Sequence, residues 1–162
     1  MNRDDLKSLS FWIYSAGGAG LAPIAPGTAG SALAAVLLLL PGRLGGLPAW
    51  AHPGWGALVL LVFFAGVRSC RAAEAAHGRD PGVVVIDEVL GMLVALYLIP
   101  NSFAAVAAAF FFFRFFDIVK PFPARLAERA RGGWGVMLDD AVAGIYANLA
   151  VRALFLLGGK LA

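Results

Sequence analysis

Arg114-Phe115-Phe116-Asp117-Ile118-Val119-Lys120-Pro121-Phe122-Pro123 sets one carboxylate between two cations, directly after the uncharged run Phe103 to Phe113, which is almost entirely phenylalanine and alanine. Charge arriving abruptly after such a run predicts an apolar helix with a charged mouth. If the helix persists to the first proline, Arg114, Asp117 and Lys120 recur at every third residue and share one face. Pro121 disfavours the α conformation in its predecessor, so the helix is expected to end at Lys120. Two readings stay open from this stretch alone. One is an interfacial helix end with an intrahelical ion pair and snorkelling cations; the other is one wall of a site for a metal ion and an anion.

Composition separates the classes. The chain has 162 residues, 60% of them hydrophobic and only 14% charged, with a mean hydropathy of +0.81. That is enough for one domain over residues 1–162 and too apolar for an ordinary soluble one. The expected fold is all-α, a compact membrane-embedded helical bundle with short apolar helical hairpins and active-site loops on one side. The formal charge of +3 is spread in short basic clusters, which disfavours nucleic acid and suits an anionic lipid surface. Cys70 is the single cysteine and permits no internal disulfide. Position 76, six residues on, is Ala76 and not the arginine that a cysteine-phosphatase loop needs. Arg3, Asp4, Asp5 and Lys7 ahead of a short aromatic patch predict no cleaved signal peptide.

In chain order, residues 17–31 are rich in glycine and proline and read as a loop feeding a helix from Ala29 to Leu40, capped by Thr28. A helix start beside glycines is either a phosphate cradle or a tight turn packed on the bundle. No lysine follows in the Walker position. Pro41 to Pro53 reads as a second loop, and the apolar run from Gly54 to Val67 as the return arm of a hairpin. That helix is expected to continue to His77 and stop at Gly78. His52 and His77 lack a second histidine at ligand spacing, so neither is read as a metal ligand.

Asp87 and Glu88 head an uncharged interval from Val89 to Phe113 that Pro100, Asn101 and Ser102 divide. Each half is too short to cross a slab of about 30 Å alone, which allows shallow or re-entrant packing. Ala124 to Arg131 reads as a basic interfacial helix, and Asp139 and Asp140 precede a last apolar helix, Ala141 to Leu157, interrupted by Asn148 and Arg152. If the apolar segments alternate in direction, residues 15–30, 68–88 and 114–140 fall on one side. With Arg3 and Lys7 of the chain start, ten of the thirteen lysines and arginines lie on that side with all the acidic stations, and by the positive-inside tendency it faces the cytoplasm. Five carboxylates converging on Lys120 must have their repulsion relieved. A hard cation such as Mg²⁺, held by carboxylates and sharing phosphate oxygens, relieves it and polarises a phosphoryl group.

Pro26-Gly27-Thr28 with Gly30-Ser31, Ile86-Asp87-Glu88 with Gly91, Phe115-Phe116-Asp117-Ile118 with Lys120-Pro121, and Gly132-Gly133 through Asp139-Asp140 with Ala143-Gly144-Ile145-Tyr146 together resemble the phosphatidylglycerophosphatase A family. The resemblance spans roughly residues 17 to 146. It implies a Mg²⁺-dependent lipid phosphatase of the bacterial cytoplasmic membrane, converting phosphatidylglycerophosphate to phosphatidylglycerol and inorganic phosphate. The expected partners are the phospholipid and the bilayer, with homo-oligomerisation open.

On the combined reading, Glu88, Asp117 and Asp140 are expected metal ligands, and Asp87 and Asp139 are further ligands or the base that orients a water. Lys120 is expected to neutralise the phosphate or leaving alkoxide, with Arg114, Gly27, Thr28 and Ser31 at the phosphate oxygens. An aspartyl-phosphate intermediate ranks lower, because no Asp-x-Asp arrangement is present. A metal-binding transporter or structural membrane protein is the alternative class. A transporter would carry its acids inside the apolar segments, whereas here they gather at segment ends.

Overall fold

A computed structural model describes residues 8–43, 54–78, 81–100 and 102–158. Helix α1 spans Leu9–Tyr14, and a short 3₁₀ turn at Ala19–Leu21 leads to α2, Pro26–Arg43. Then come α3, Trp55–His77, α4, Ile86–Ala95, α5, Phe103–Val119, α6, Ala124–Ala127, and α7, Trp134–Leu157. Among the described residues there is no strand, so the all-α expectation holds.

Local chemistry sets the ends. Pro26 opens α2, where its missing N–H costs nothing and its fixed φ suits the first turn. The helix therefore starts before Thr28, which lies inside the first turn and does not cap it. At the other end α2 runs on to Arg43, past the loop start expected at Pro41; His52 lies outside the described residues. α3 ends at His77 on Gly78, as expected. The Ser102 side chain caps α5 by accepting the Ala105 N–H at 3.1 Å, and α5 stops at Val119, with Lys120 as its left-handed cap.

The last two helices differ from the sequence expectation. α6 covers only Ala124–Ala127, because Glu128 to Ala130 close tighter turns with carbonyls three and four residues back. α7 begins at Trp134, not Ala141, since Gly133 at φ 82° lets the chain reverse and enter the helix immediately. Asp139 and Asp140 consequently sit inside α7, on its second turn.

The ten residues of α4 form the hub: α1, α2, α3, α5 and α7 all pack on it. α2 lies against α4 and α5, while α3 lies against α1, α4 and α7. The expected α2–α3 hairpin is absent, because α4 takes the place between them. One core joins α2, α4, α5 and α7 through Ala34, Met92, Val106, Phe113 and Ala147. A second joins α1, α3, α4 and α7 through Phe11, Cys70, Leu90 and Met137. Close approach of α4 and α7 depends on small residues: a Cβ on Gly144 would stand 2.6 Å from the Gly91 carbonyl oxygen.

α4 is only about 15 Å long, and its C-terminal carbonyls would be stranded in apolar surroundings without a donor. Asn148 of α7 supplies one, its Nδ2 donating to Ala95 O at 2.9 Å and Tyr97 O at 2.8 Å. Arg152 Nε donates in turn to Asn148 Oδ1 at 2.8 Å, and its Nη2 to Tyr97 O at 3.0 Å. The two polar interruptions of the last helix therefore serve the broken end of α4.

α3 and α7 are each long and apolar enough to cross a membrane. Large apolar side chains stand exposed on their outer faces and on those of α2 and α5, among them Leu37, Leu61, Phe64, Phe111 and Leu154.

Candidate active site

A cavity of about 330 Å³ opens where the first turn of α2, the start of α4, the end of α5 and the second turn of α7 meet. Asp87, Glu88, Arg114, Asp117, Lys120, Asp139 and Asp140 all line it. The structure thus brings together the five carboxylates and both cations singled out in the sequence, from three helices.

Asp87, Glu88 and Asp140 each offer an oxygen to a group whose members lie within 4.8 Å of one another. Asp87 Oδ1 and Glu88 Oε2 are buried without a hydrogen-bond partner. Burial, followed by the neighbouring carboxylates of Glu88 and Asp140, pushes Asp87 well above the usual carboxylate range. Burial also raises Glu88, with its hydrogen bond to Asp87 and the Arg114 charge offsetting part of the effect. Orphaned acidic oxygens that resist ionisation are what a missing positive charge leaves behind. An all-carboxylate donor set, without cysteine or histidine, suits a hard cation.

Asp117 is placed differently from the other expected ligands. Its Oδ2 lies 2.7 Å from Arg114 Nη1, the i, i+3 pair read from the sequence, and Arg114 Nη1 also reaches Glu88 Oε1 at 3.5 Å. Asp117 therefore borders the three-acid group, against Asp140, with Arg114 balancing its charge.

Lys120 leaves the helix face it was expected to share. Its left-handed backbone, φ 47°, turns the side chain across the cavity to Asp139 Oδ2 at 2.6 Å and Glu128 Oε1 at 3.3 Å. Burial pulls the ammonium down, but the hydrogen bond and charge of Asp139, with those of Glu128, outweigh it and hold Lys120 above its ordinary value. Asp139 is held from its other oxygen, where Oδ1 accepts the Asp140 N–H at 3.0 Å.

The glycine loop contributes through backbone. Gly27 lines the cavity, and a Cβ there would collide with Glu88 Oε1 and approach Arg114 Nη1 to 3.2 Å. Thr28 is exposed. Ser31 is buried and its hydroxyl donates to Gly27 O at 2.9 Å, so its proton is committed to the first turn of α2. Sequence reasoning missed Glu128 and Glu74, which also line the cavity; both belong to ordinary charged helical stretches, and only tertiary packing turns them inward.

The sequence model of the phosphatidylglycerophosphatase A family matches residues 12–155. A Haemophilus influenzae protein described as phosphatidylglycerophosphatase A is 39% identical over 140 residues, covering 85% of this chain and 83% of its own. An Escherichia coli protein of the same description is 39% identical over 136 residues, covering 79% and 73%. A Bacteroides thetaiotaomicron protein, whose description provisionally makes it a phosphatidylinositol-3-phosphatase, is 42% identical over 139 residues, covering 83% and 86%. No solved structure matches the chain.

Proposed function

Because the chain belongs to the phosphatidylglycerophosphatase A family and is a lipid phosphatase, we propose that it hydrolyses phosphatidylglycerophosphate to phosphatidylglycerol and inorganic phosphate, with Mg²⁺ held by Asp87, Glu88 and Asp140. The observation that carries the reading is the three-acid group with two buried, unpartnered oxygens, set beside a lysine in one cavity. A divalent cation bound there would neutralise the acids and polarise the phosphoryl group.

The chain's own residues supply the rest. Lys120, kept protonated by its two carboxylates, meets the non-bridging oxygens of the monoester and the oxygen on which charge grows as the bond to phosphorus breaks. Asp139 accepts a proton from the attacking water as the oxygen–phosphorus bond forms. The leaving alkoxide takes a proton from Lys120, and the 2.6 Å contact between Asp139 and Lys120 returns the water-derived proton to the lysine. Arg114 offsets Glu88 and Asp117, and Asp117 flanks Asp140. In this assignment Asp87 acts as a ligand and Asp139 as the base. Hydrolysis by water needs no aspartyl-phosphate.

The exposed apolar flanks of α3 and α7 support insertion in the bacterial cytoplasmic membrane. The bias of basic residues toward the cavity side supports a cytoplasmic site. A phosphoinositide monoester is the second reading, favoured by the name of the Bacteroides relative.

The test is phosphate release by the purified chain from phosphatidylglycerophosphate in detergent micelles, with Mg²⁺ and then with EDTA, alongside Asp140→Asn. Release that needs the metal and is lost in the variant is the expected result. Metal-independent release, or full activity in Asp140→Asn, would overturn the assignment of the acids. No release from folded protein would overturn the substrate, and a phosphatidylinositol 3-phosphate arm then decides the second reading.

A further inference from the structure

Beside the acidic cavity lies a second concavity of about 530 Å³, lined by Val119, Lys120, Phe122, Arg125, Leu126 and Arg129. Lys120 belongs to both walls, so the two spaces adjoin at the residue assigned to the reacting phosphate. Arg125 and Arg129 stand about one helical turn apart, and both are exposed. Lys120 and Arg114 are committed to carboxylates. Among the described residues, by contrast, neither Arg125 nor Arg129 has an ion-pair partner. The floor is held in place by Tyr146, whose Oη donates to Phe122 O at 2.8 Å while its ring packs 5.4 Å from that of Phe116. Phe122 and Leu126 are 78% and 53% exposed, which gives the groove an apolar lip next to its two cations.

This pattern has a chemical complement. In a phospholipid whose headgroup ends in a phosphate monoester, a phosphodiester follows a few atoms away and the acyl-bearing glycerol follows that. With the monoester at Lys120 and the acid group, the next anion falls toward the two uncommitted arginines and the hydrocarbon toward Phe122 and Leu126. We propose that Arg125 and Arg129 bind the phosphodiester of the lipid substrate, so that the groove selects lipids carrying two phosphates in tandem over lipids carrying one. The proposal rests on the phosphatase reading and deepens it. It accommodates the lipids named for the Haemophilus and the Bacteroides relatives, since both place a monoester beyond a diester.

The test uses the full chain in neutral detergent micelles, with phosphatidylglycerophosphate and phosphatidic acid of the same acyl chains as substrates. The proteins compared are the unaltered chain, Arg125→Ala/Arg129→Ala and Arg125→Lys/Arg129→Lys. Loss of the charge-assisted contacts is expected to raise KM for phosphatidylglycerophosphate about tenfold with a much smaller change in kcat, and to shrink its advantage over phosphatidic acid by a similar factor. The lysine variant is expected to recover most of the difference. An unchanged KM would overturn the proposal, as would equal losses on both lipids. An effect seen only in vesicles of anionic lipid, and absent in neutral micelles, would assign the arginines to the bulk membrane surface and also overturn it. Release from neither lipid by the unaltered chain would overturn phosphatidylglycerophosphate as the substrate, and the proposal with it.

Discussion

At Lys120 the backbone and the side chain answer to different neighbours. Pro121 forbids the residue before it from continuing the helix, and the left-handed conformation it adopts, φ 47°, is one that a non-glycine residue enters at a cost of about 1–2 kcal/mol. The return is an ammonium aimed at Asp139. Lys120→Met removes the charge while keeping the stem, and kcat is expected to fall by about 10²–10³ with little change in melting temperature, as measured by steady-state kinetics and thermal unfolding. Gly27→Ala tests the other wall: its methyl group must displace Glu88, so the Mg²⁺ concentration giving half-maximal activity is expected to rise about tenfold or more. The pair Arg114–Asp117 was legible in the sequence because three residues of helix set its geometry. The contact between Lys120 and Asp139 was not, since no local pattern relates residues on different helices. The hydroxyl of Ser31 was expected at the phosphate oxygens, and local sequence carries no sign that it is spent on Gly27 O, away from the residues that line the cavity.

Among the elements, α4 depends on the one that follows it furthest along the chain. Its first turn carries Asp87 and Glu88, and its last carbonyls are met by Asn148. Asn148→Leu would strand those carbonyls and leave Arg152 without its Oδ1 acceptor, with an expected loss of about 1–3 kcal/mol of stability, read as a lower midpoint in thermal or denaturant unfolding in detergent. Gly144→Leu forces α7 off α4, and overpacking of this kind costs about 1–3 kcal/mol; because Asp140 sits one turn away, metal affinity should fall together with stability. The extent of α3 and the C-terminal end of α5 were legible because a glycine and a proline mark them. The start of α7 was not, since a charged pair reads as a helix head until Gly133 is seen to turn the chain earlier. The expected α2–α3 hairpin followed from neighbours in sequence, and α4 occupies that position with eight of its ten residues buried and none exposed.

For the molecule as a whole, charge and solvent combine. Asp87 and Glu88 have raised pKa values in the folded chain, so above the ordinary carboxylate range the folded state holds protons that the unfolded state has released. Their contribution to stability is present at low pH and is lost as pH rises through the folded values. In EDTA the melting temperature is therefore expected to be lower at a pH well above the ordinary carboxylate range than at one within it. Mg²⁺ should remove the decline, with a larger gain at the higher pH and with protons released on binding, measurable by calorimetry in buffers of different ionisation enthalpy. A cation at a hundred times its Kd would contribute about 2.7 kcal/mol. A gain that is equal at both pH values would argue against cation binding at these two acids.

The order in which a ribosome delivers the chain gives the union of α4 with α7 a temporal meaning. Domains form from the N-terminus as synthesis proceeds, yet here the hub emerges with its acids and its stranded carbonyls while Asp140, Asn148 and Arg152 are still unmade. One late helix completes both ends of α4 at once. The nascent protein therefore passes through an interval in which its most central element is its least satisfied, and completion of the acid group and structural closure arrive with the same helix.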